Sequence, residues 1–385
     1  MKNTLRLLTS LVTLLFLALF LRFFMLDIME NEHGNLKLLL IFAILGLGGF
    51  VIYKIARFIE DITAILKDKT GLAGGLLQAL GTAFPDMIIG ITAAFMSLKA
   101  AGDPTSAINY AIVAASTTFG SNVYNIGHAA WCMWRQNLAN KYHKNYKMFP
   151  IFGGGTVKPM HEHKSTPQLI EMNTAIKVLV SLTFLTVVVV MGMVFFGKVP
   201  TPEGFTGDLY KLKAEIGVFV LVSVLITLYM FRKNYGSHQE DEENPFRKVG
   251  QLTMWVSLLI CGGAILFTAE SMVETILEFS ELTHIPIVIS GMIAGLIGCL
   301  GEMVVIHNFT VNPKGRIGDA IVGVAMDNIV TIMGAAIIAA MGGIFLGGDS
   351  LIVIFVLILA ANSVLIWQVS ELKDEYIEHK ELNHV

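Results

Sequence analysis

The residues of this chain best equipped for chemistry sit in stretches that are otherwise apolar. Gly81-Thr82-Ala83-Phe84-Pro85-Asp86 lies in one such stretch, and Gly120-Ser121-Asn122-Val123-Tyr124-Asn125 lies in the next. Far downstream the outline recurs as Gly298-Cys299-Leu300-Gly301-Glu302, followed by Asp327-Asn328-Ile329-Val330-Thr331. In each copy a helix interrupted by Pro or Gly carries a carboxylate, and the next helix carries polar residues four apart. Residues at that spacing share a helix face, which pairs Thr82 with Asp86, Ser121 with Asn125 and Asp327 with Thr331. Their carboxylate, amide and hydroxyl oxygens, with a backbone carbonyl freed by Pro85, are hard ligands. Ca²⁺ takes roughly six to eight oxygens of this kind.

A membrane setting gives these residues a cost that function must offset. An acid at the centre of a membrane helix costs about 2.5–3.5 kcal/mol. Asp86, Glu302 and Asp327 together therefore cost on the order of 8–10 kcal/mol, which helix packing does not require and a bound cation or proton offsets. Without a cation, repulsion and desolvation favour proton uptake by one of the three, and Asp327 is the expected acceptor. His128 and His307, one or two turns beyond the motifs, are further candidate proton carriers; the plainer reading is an imidazole bonded to a carbonyl. Ser116, Thr117, Thr118, Asn308 and Asn362 read as polar glue between helices, and Glu270 and Glu274 as vestibule or interface residues. Cys132, Cys261 and Cys299 are scattered, so neither a disulfide nor a zinc site is expected. The hard oxygen set also disfavours a softer transition metal, and no cofactor is implied.

The elements that must position these groups follow from composition. The chain is 54% hydrophobic and 15% charged, with mean hydropathy +0.67, against about 25% charged for a soluble domain. A polytopic membrane protein follows, and the 36 glycines suit close helix packing. Nothing in the net charge of −3 points to nucleic acid. The expected partners are inorganic cations and the lipid bilayer, and no protein partner is readable. Apolar stretches long enough to span occur near 5–28, 36–60, 71–99, 106–135, 174–197, 213–231, 249–279, 286–311, 317–345 and 350–370. The first follows Lys2 and Arg6 like a signal peptide, but it runs on through Arg22 without a small-residue cleavage site, so a retained helix is expected.

Positive charge then assigns the sides. Of the 27 Lys and Arg, only Arg22, Lys37, Lys99, Lys198, Lys211 and Lys213 fall in alternate, outer loops. Both termini are thus expected in the cytoplasm of a multi-pass protein, with the cell membrane the expected location. The Asp86 helix enters from inside and the Glu302 helix from outside. The expected fold is all-α, with about ten transmembrane helices in two inverted-topology repeats related by a pseudo-two-fold axis in the membrane plane. Such repeats meet near the midplane and build one site open alternately to either side.

The expected organisation is an extra N-terminal helix (1–35), a first half (36–231) holding one repeat (71–135), an acidic linker (232–248), a second half (249–370) holding the other repeat (286–345), and a charged tail (371–385). Residues 136–173, with Gly153-Gly154-Gly155 and His161-Glu162-His163, read as a solvated, flexible inner connector. The linker, with Glu240-Asp241-Glu242-Glu243, is too short for a folded domain.

The first motif pair resembles the alpha-repeat of the cation/calcium exchanger superfamily, the sodium/calcium exchanger-like membrane proteins. The usual repeat reads Gly-Thr-Ser-x-Pro-Glu (or Asp), then Gly-Ser-Asn-x-x-Asn. The resemblance implies two inverted five-helix halves, with Asp86 and Glu302 as ligands of the transported cation and Thr82, Ser121 and Asn125 as ligands from the first repeat. The second repeat departs from the pattern. Gly298, Cys299 and Gly301 replace Thr, Ser and Pro; Asp327 stands at the usual Ser and Thr331 at the usual Asn or Asp. Hydroxyls used for sodium are lost while a carboxylate is gained, which disfavours Na⁺ coupling more than divalent binding. The expected activity is antiport of a divalent cation, foremost Ca²⁺, for Na⁺ or H⁺. The alternatives are a proton-coupled carrier of another cation and a non-transporting sensor or scaffold. A channel is disfavoured because the polar residues cluster at one level, and no nucleophile with its base suggests an enzyme.

Overall fold

The computed structural model describes residues 2–70, 74–100, 102–149, 154–160, 169–200, 208–231, 249–311, 317–340, 344–346 and 349–382. The linker 232–248 and His161-Glu162-His163 lie outside these residues. Eleven helices dominate: α1 (Lys2–Phe20), α2 (Leu26–Asn31), α3 (Gly34–Thr70), α4 (Gly74–Lys99), α5 (Pro104–Tyr142), α6 (Leu169–Phe196), α7 (Ala214–Phe231), α8 (Gln251–Thr283), α9 (Ile287–Val311), α10 (Ile317–Ala340) and α11 (Asp349–Leu382). A π-helical turn, Leu21–Met25, joins α1 to α2 into one rod.

Each apolar stretch expected from the sequence falls in a helix, but fewer than ten qualify as spans. Six helical segments among the described residues are long and apolar enough to cross a membrane: Leu5–Asn31, Gly34–Ile59, Met172–Phe196, Gln251–Thr283, Ile321–Ala340 and Leu351–Glu375. A seventh is α9 if its two arms, Ile287–Leu300 and Glu302–Val311, count as one bent span. The shortfall has a physical cause. The apolar parts Met87–Lys99 and Ala214–Met230 are short, and α5 carries Ser, Thr, Asn and His through its middle. The chain is an all-α polytopic membrane protein, with large apolar side chains such as Phe184, Phe195, Val353 and Trp367 exposed as on a lipid-facing belt.

A helix as polar as α5 is tolerated at membrane depth only when enclosed by protein. It is packed by α9, α11, α4 and α10, and Ser116, Thr117, Thr118, Ser121, Asn122, Asn125 and His128 are all buried. Glycine sets the spacing of its closest neighbour. A Cβ at Gly295 of α9 would stand 2.6 Å from the Thr117 carbonyl oxygen and 2.8 Å from the Ser121 amide nitrogen. The Thr117 hydroxyl donates across this crossing to the Gly291 carbonyl at 3.1 Å. Ser116, by contrast, bonds within its own helix, to Ile112 at 2.6 Å. Asn362 of α11 donates to the Leu179 carbonyl of α6 at 2.8 Å, as polar glue should. Asn308 is exposed.

The α1 rod packs on α8 and α3 around a separate apolar cluster that includes Leu11, Leu21, Val51, Ile55, Ala264 and Ile265. One face of α8 ties this region together through acids. Glu270 pairs with Arg22 at 2.9 Å, Glu274 accepts from the Tyr110 hydroxyl at 2.9 Å, and Glu278 pairs with Lys37 at 2.5 Å. Glu270 and Glu274 are therefore interface residues.

Two small antiparallel sheets cap the helices. One pairs β1 (Tyr146–Lys147) with β2 (Thr156–Val157), and the other orders β3 (Lys198–Val199), β4 (Leu209–Leu212) and β5 (Ile344–Leu346). Over the described residues 136–149 and 154–160, the first replaces the expected flexible connector with ordered structure. Helix α5 continues to Tyr142, and Gln136, Asn137 and Asn140 are buried. Gln136 donates to the Lys158 carbonyl at 2.9 Å, Asn140 accepts from the Met160 amide at 2.8 Å, and Asn137 reaches the Gln368 carbonyl of α11 at 2.8 Å. Gly155 has φ +103°, open to glycine, and a Cβ there would meet Val311 at 2.9 Å. Gly154 and Gly155 form a docking point on the end of α9.

Candidate functional site

Three helices bring carboxylates and an amide to one buried point. The Asn125 side-chain NH₂, from α5, donates to Asp327 Oδ2 of α10 at 2.9 Å and, more closely, to Glu302 Oε2 of α9. An amide NH₂ has two hydrogens, so one asparagine holds both carboxylates. Asn125 is 1% exposed, Asp327 2% and Glu302 6%, so bulk water does not screen the pair.

Local structure explains how each side chain gets there. Helix α9 bends by 50° between Leu300 and Glu302. Gly301 at that bend imposes no Cβ and leaves nearby backbone groups less firmly paired. The broken helix expected in the second repeat is thus present. Helix α4 runs through Pro85 from Gly74 to Lys99 without an interruption in its helical backbone, as prolines can in membrane helices whose neighbours re-satisfy the freed groups. The side chains of Thr82 and Asp86 lie outside the described residues. Helix α4 packs against both α5 and α10.

Two further ligands expected from the sequence, Ser121 and Thr331, are buried. The Ser121 hydroxyl donates to the Thr118 carbonyl at 2.9 Å and the Thr331 hydroxyl to the Asp327 carbonyl at 3.0 Å, each within its own helix. Sequence reasoning passed over two amides. Both polar side-chain atoms of Asn122, and Oδ1 of Asn125 and of Asn328, are buried without a hydrogen-bond partner among the described residues. Buried amide oxygens left in this way are costly, and oxygen is the donor that hard cations take. Asn122 and Asn328 each stand inside the motif already singled out, so the signal was present.

His128 and His307 belong to a second cluster, with Cys132. Their rings stack at a centroid distance of 5.9 Å and an interplanar angle of 14°. His128 Nε2 lies 3.6 Å from Cys132 Sγ, and His307 Nε2 donates to the Gly154 carbonyl at 2.7 Å. One nitrogen or sulfur atom of each of the three lies within 4.8 Å of the others, all three residues being buried. The scattered cysteines led to no expected zinc site, yet the fold brings one of them beside two imidazoles. His128 and Cys132 are four apart on α5, a spacing that a search for paired cysteines does not register.

Enclosed polar helices, a bend beside an acid and a carboxylate pair on a shared amide define a polytopic membrane fold with a buried acidic site. Solved structures agree at the level of the fold. The chain is similar to the H⁺/Ca²⁺ exchanger CAX with TM-score 0.57 and 12% identity, over 99% of this chain and 99% of that one. It is also similar to the sodium-calcium exchanger NCX_Mj soaked with Na⁺ and Sr²⁺, with TM-score 0.49 and 16% identity over 88% of this chain and 97% of that one. No protein-family model matches the chain, and no curated protein does.

Proposed function

We propose that the chain is a secondary antiporter that exchanges a divalent cation, foremost Ca²⁺, for H⁺. One observation carries this reading: two buried carboxylates from different helices share a single amide donor. Two acids so placed do not both stay ionised without a compensating positive charge. A proton on the pair satisfies this in one state and a divalent cation in the other, and competition between them is the basis of exchange. Asp327 takes the proton when the cation leaves. Turning the Asn125 amide over replaces its NH₂ by Oδ1, converting a holder of carboxylates into a cation ligand. Glu302, Asp327, Asn125 and Asp86 form the centre of the site, with Thr82, Ser121 and Thr331 as further oxygen donors.

The fold shared with an H⁺/Ca²⁺ exchanger supports the reading, as does the replacement of sodium-type hydroxyls by Gly298 and Cys299. Alternating access then comes from two inverted halves in which α4, α5, α9 and α10 surround the site and both termini face the cytoplasm of a cell membrane. Proteoliposomes test this. Ca²⁺ uptake should saturate, show counterflow, and rise with an outward H⁺ gradient far more than with an outward Na⁺ gradient. Absence of exchange under either gradient would favour the sensor or scaffold reading.

A further inference from the structure

The cluster of His128, Cys132 and His307 has a chemistry different from that of the carboxylate pair. Nitrogen and thiolate ligands suit a thiophilic d¹⁰ ion such as Zn²⁺ rather than Ca²⁺. We propose that these three residues form a second metal site, for Zn²⁺ or an ion of the same class, independent of the transport reading above.

The first argument is metrical. Zn–S and Zn–N bonds of about 2.3 and 2.0–2.1 Å at a tetrahedral angle put the nitrogen and sulfur roughly 3.5 Å apart. His128 Nε2 and Cys132 Sγ are 3.6 Å apart, so one edge of the tetrahedron is already formed by side chains four apart on α5. His307 comes from α9, and its ligand atom lies within 4.8 Å of the other two.

The second argument is the outer shell. Metal-bound imidazoles hand their other N–H to a carbonyl or carboxylate, which fixes the tautomer and the ring. His307 donates Nε2–H to the Gly154 carbonyl at 2.7 Å, which leaves Nδ1 to carry the lone pair in the neutral ring. The His128 ring is hydrogen-bonded to the backbone of Met303, and the Thr310 hydroxyl is held by the Ile306 carbonyl at 2.8 Å. Both imidazoles thus have a supporting partner outside the cluster. The carbonyl that holds His307 belongs to Gly154, whose neighbour Gly155 packs on Val311 of α9. Three protein ligands leave a fourth position for water. Occupancy would tie α5 to α9 at the end where Gly154 docks.

Cd²⁺ serves as the probe because its bond to thiolate has a charge-transfer absorption in the ultraviolet. Purified full-length protein in detergent should take up one Cd²⁺ with that band, and Zn²⁺ should displace it. Cys132→Ser should abolish the band, whereas Cys299→Ser and Asp327→Asn should keep it, which separates this site from the carboxylate one. His307→Ala should weaken binding by more than the roughly tenfold to hundredfold that loss of an outer-shell partner costs. If Cys132→Ser fails to elute as a folded species, His307→Ala and the native protein still decide the matter. A native protein without a stoichiometric thiolate band overturns the proposal, and so does a band that survives Cys132→Ser or vanishes with Cys299→Ser.

Discussion

Asn125 is the residue on which the carboxylate pair depends. Its two N–H bonds hold acids from α9 and α10, and hydrogen bonds to charged groups contribute about 1.5–3 kcal/mol each. The acids themselves were legible in the sequence, because a carboxylate in an apolar run is a local and costly signal. The role of Asn125 as their bridge was not, since it requires knowing which helices meet. The hydroxyls of Ser121 and Thr331 share a face with the key residues and donate back along their own helices, which leaves their oxygen lone pairs open to a cation. At this scale the proposed proton acceptor, Asp327, is the residue to change. Asp327→Ser removes the acid taken to carry the proton, so Ca²⁺ flux in proteoliposomes should lose most of its dependence on an imposed pH gradient. Undiminished pH dependence in that variant would assign the proton to another group.

At the level of elements, the crossing of α5 and α9 aligns both candidate sites. Asn125, His128 and Cys132 lie along one helix, and Glu302 and His307 along the other. The approach is set by Gly295, where a side chain would strike backbone atoms rather than a movable side-chain tip. Gly295→Val should therefore lower the unfolding temperature in detergent, with overpacking of this kind costing about 1–3 kcal/mol, while Gly263→Ala, with nothing within 4 Å of its Cβ position, should leave it unchanged. Equal melting of the two variants would remove glycine as the cause of the close approach. The helices themselves were readable from hydropathy, and the bend beside Glu302 from Gly301. The two-residue strands were not, because pairs such as Tyr146–Lys147 and Thr156–Val157 carry no periodicity. Their order comes from Gly154, Gly155 and the buried amides at the end of α5.

At the scale of the molecule, the shortage of fully apolar spans is part of the design rather than a departure from it. A helix like α5 can be polar because four others enclose it, and the lipid-facing helices carry the hydrophobicity that it lacks. Sequence hydropathy counts stretches, whereas only packing tells which of them touch lipid. The His–Cys cluster was invisible for a related reason, since His307 reaches α5 from a distant part of the chain. The proposed inverted arrangement makes a prediction at this scale. With single cysteines at Lys158 and Gly204 in a cysteine-free background, an impermeant thiol reagent added outside cells should label only Gly204→Cys. Equal labelling of both would break the topology and with it the argument for inverted halves. The central claim, that Glu302 and Asp327 bind Ca²⁺ in exchange for a proton, is tested most directly by titrating Ca²⁺ into the purified protein in weakly buffered detergent with a pH indicator. The account predicts saturable Ca²⁺ binding accompanied by proton release, with both lost in Glu302→Gln/Asp327→Asn at matched, monodisperse protein. Ca²⁺ binding and proton release that persist unchanged in that double variant would contradict it.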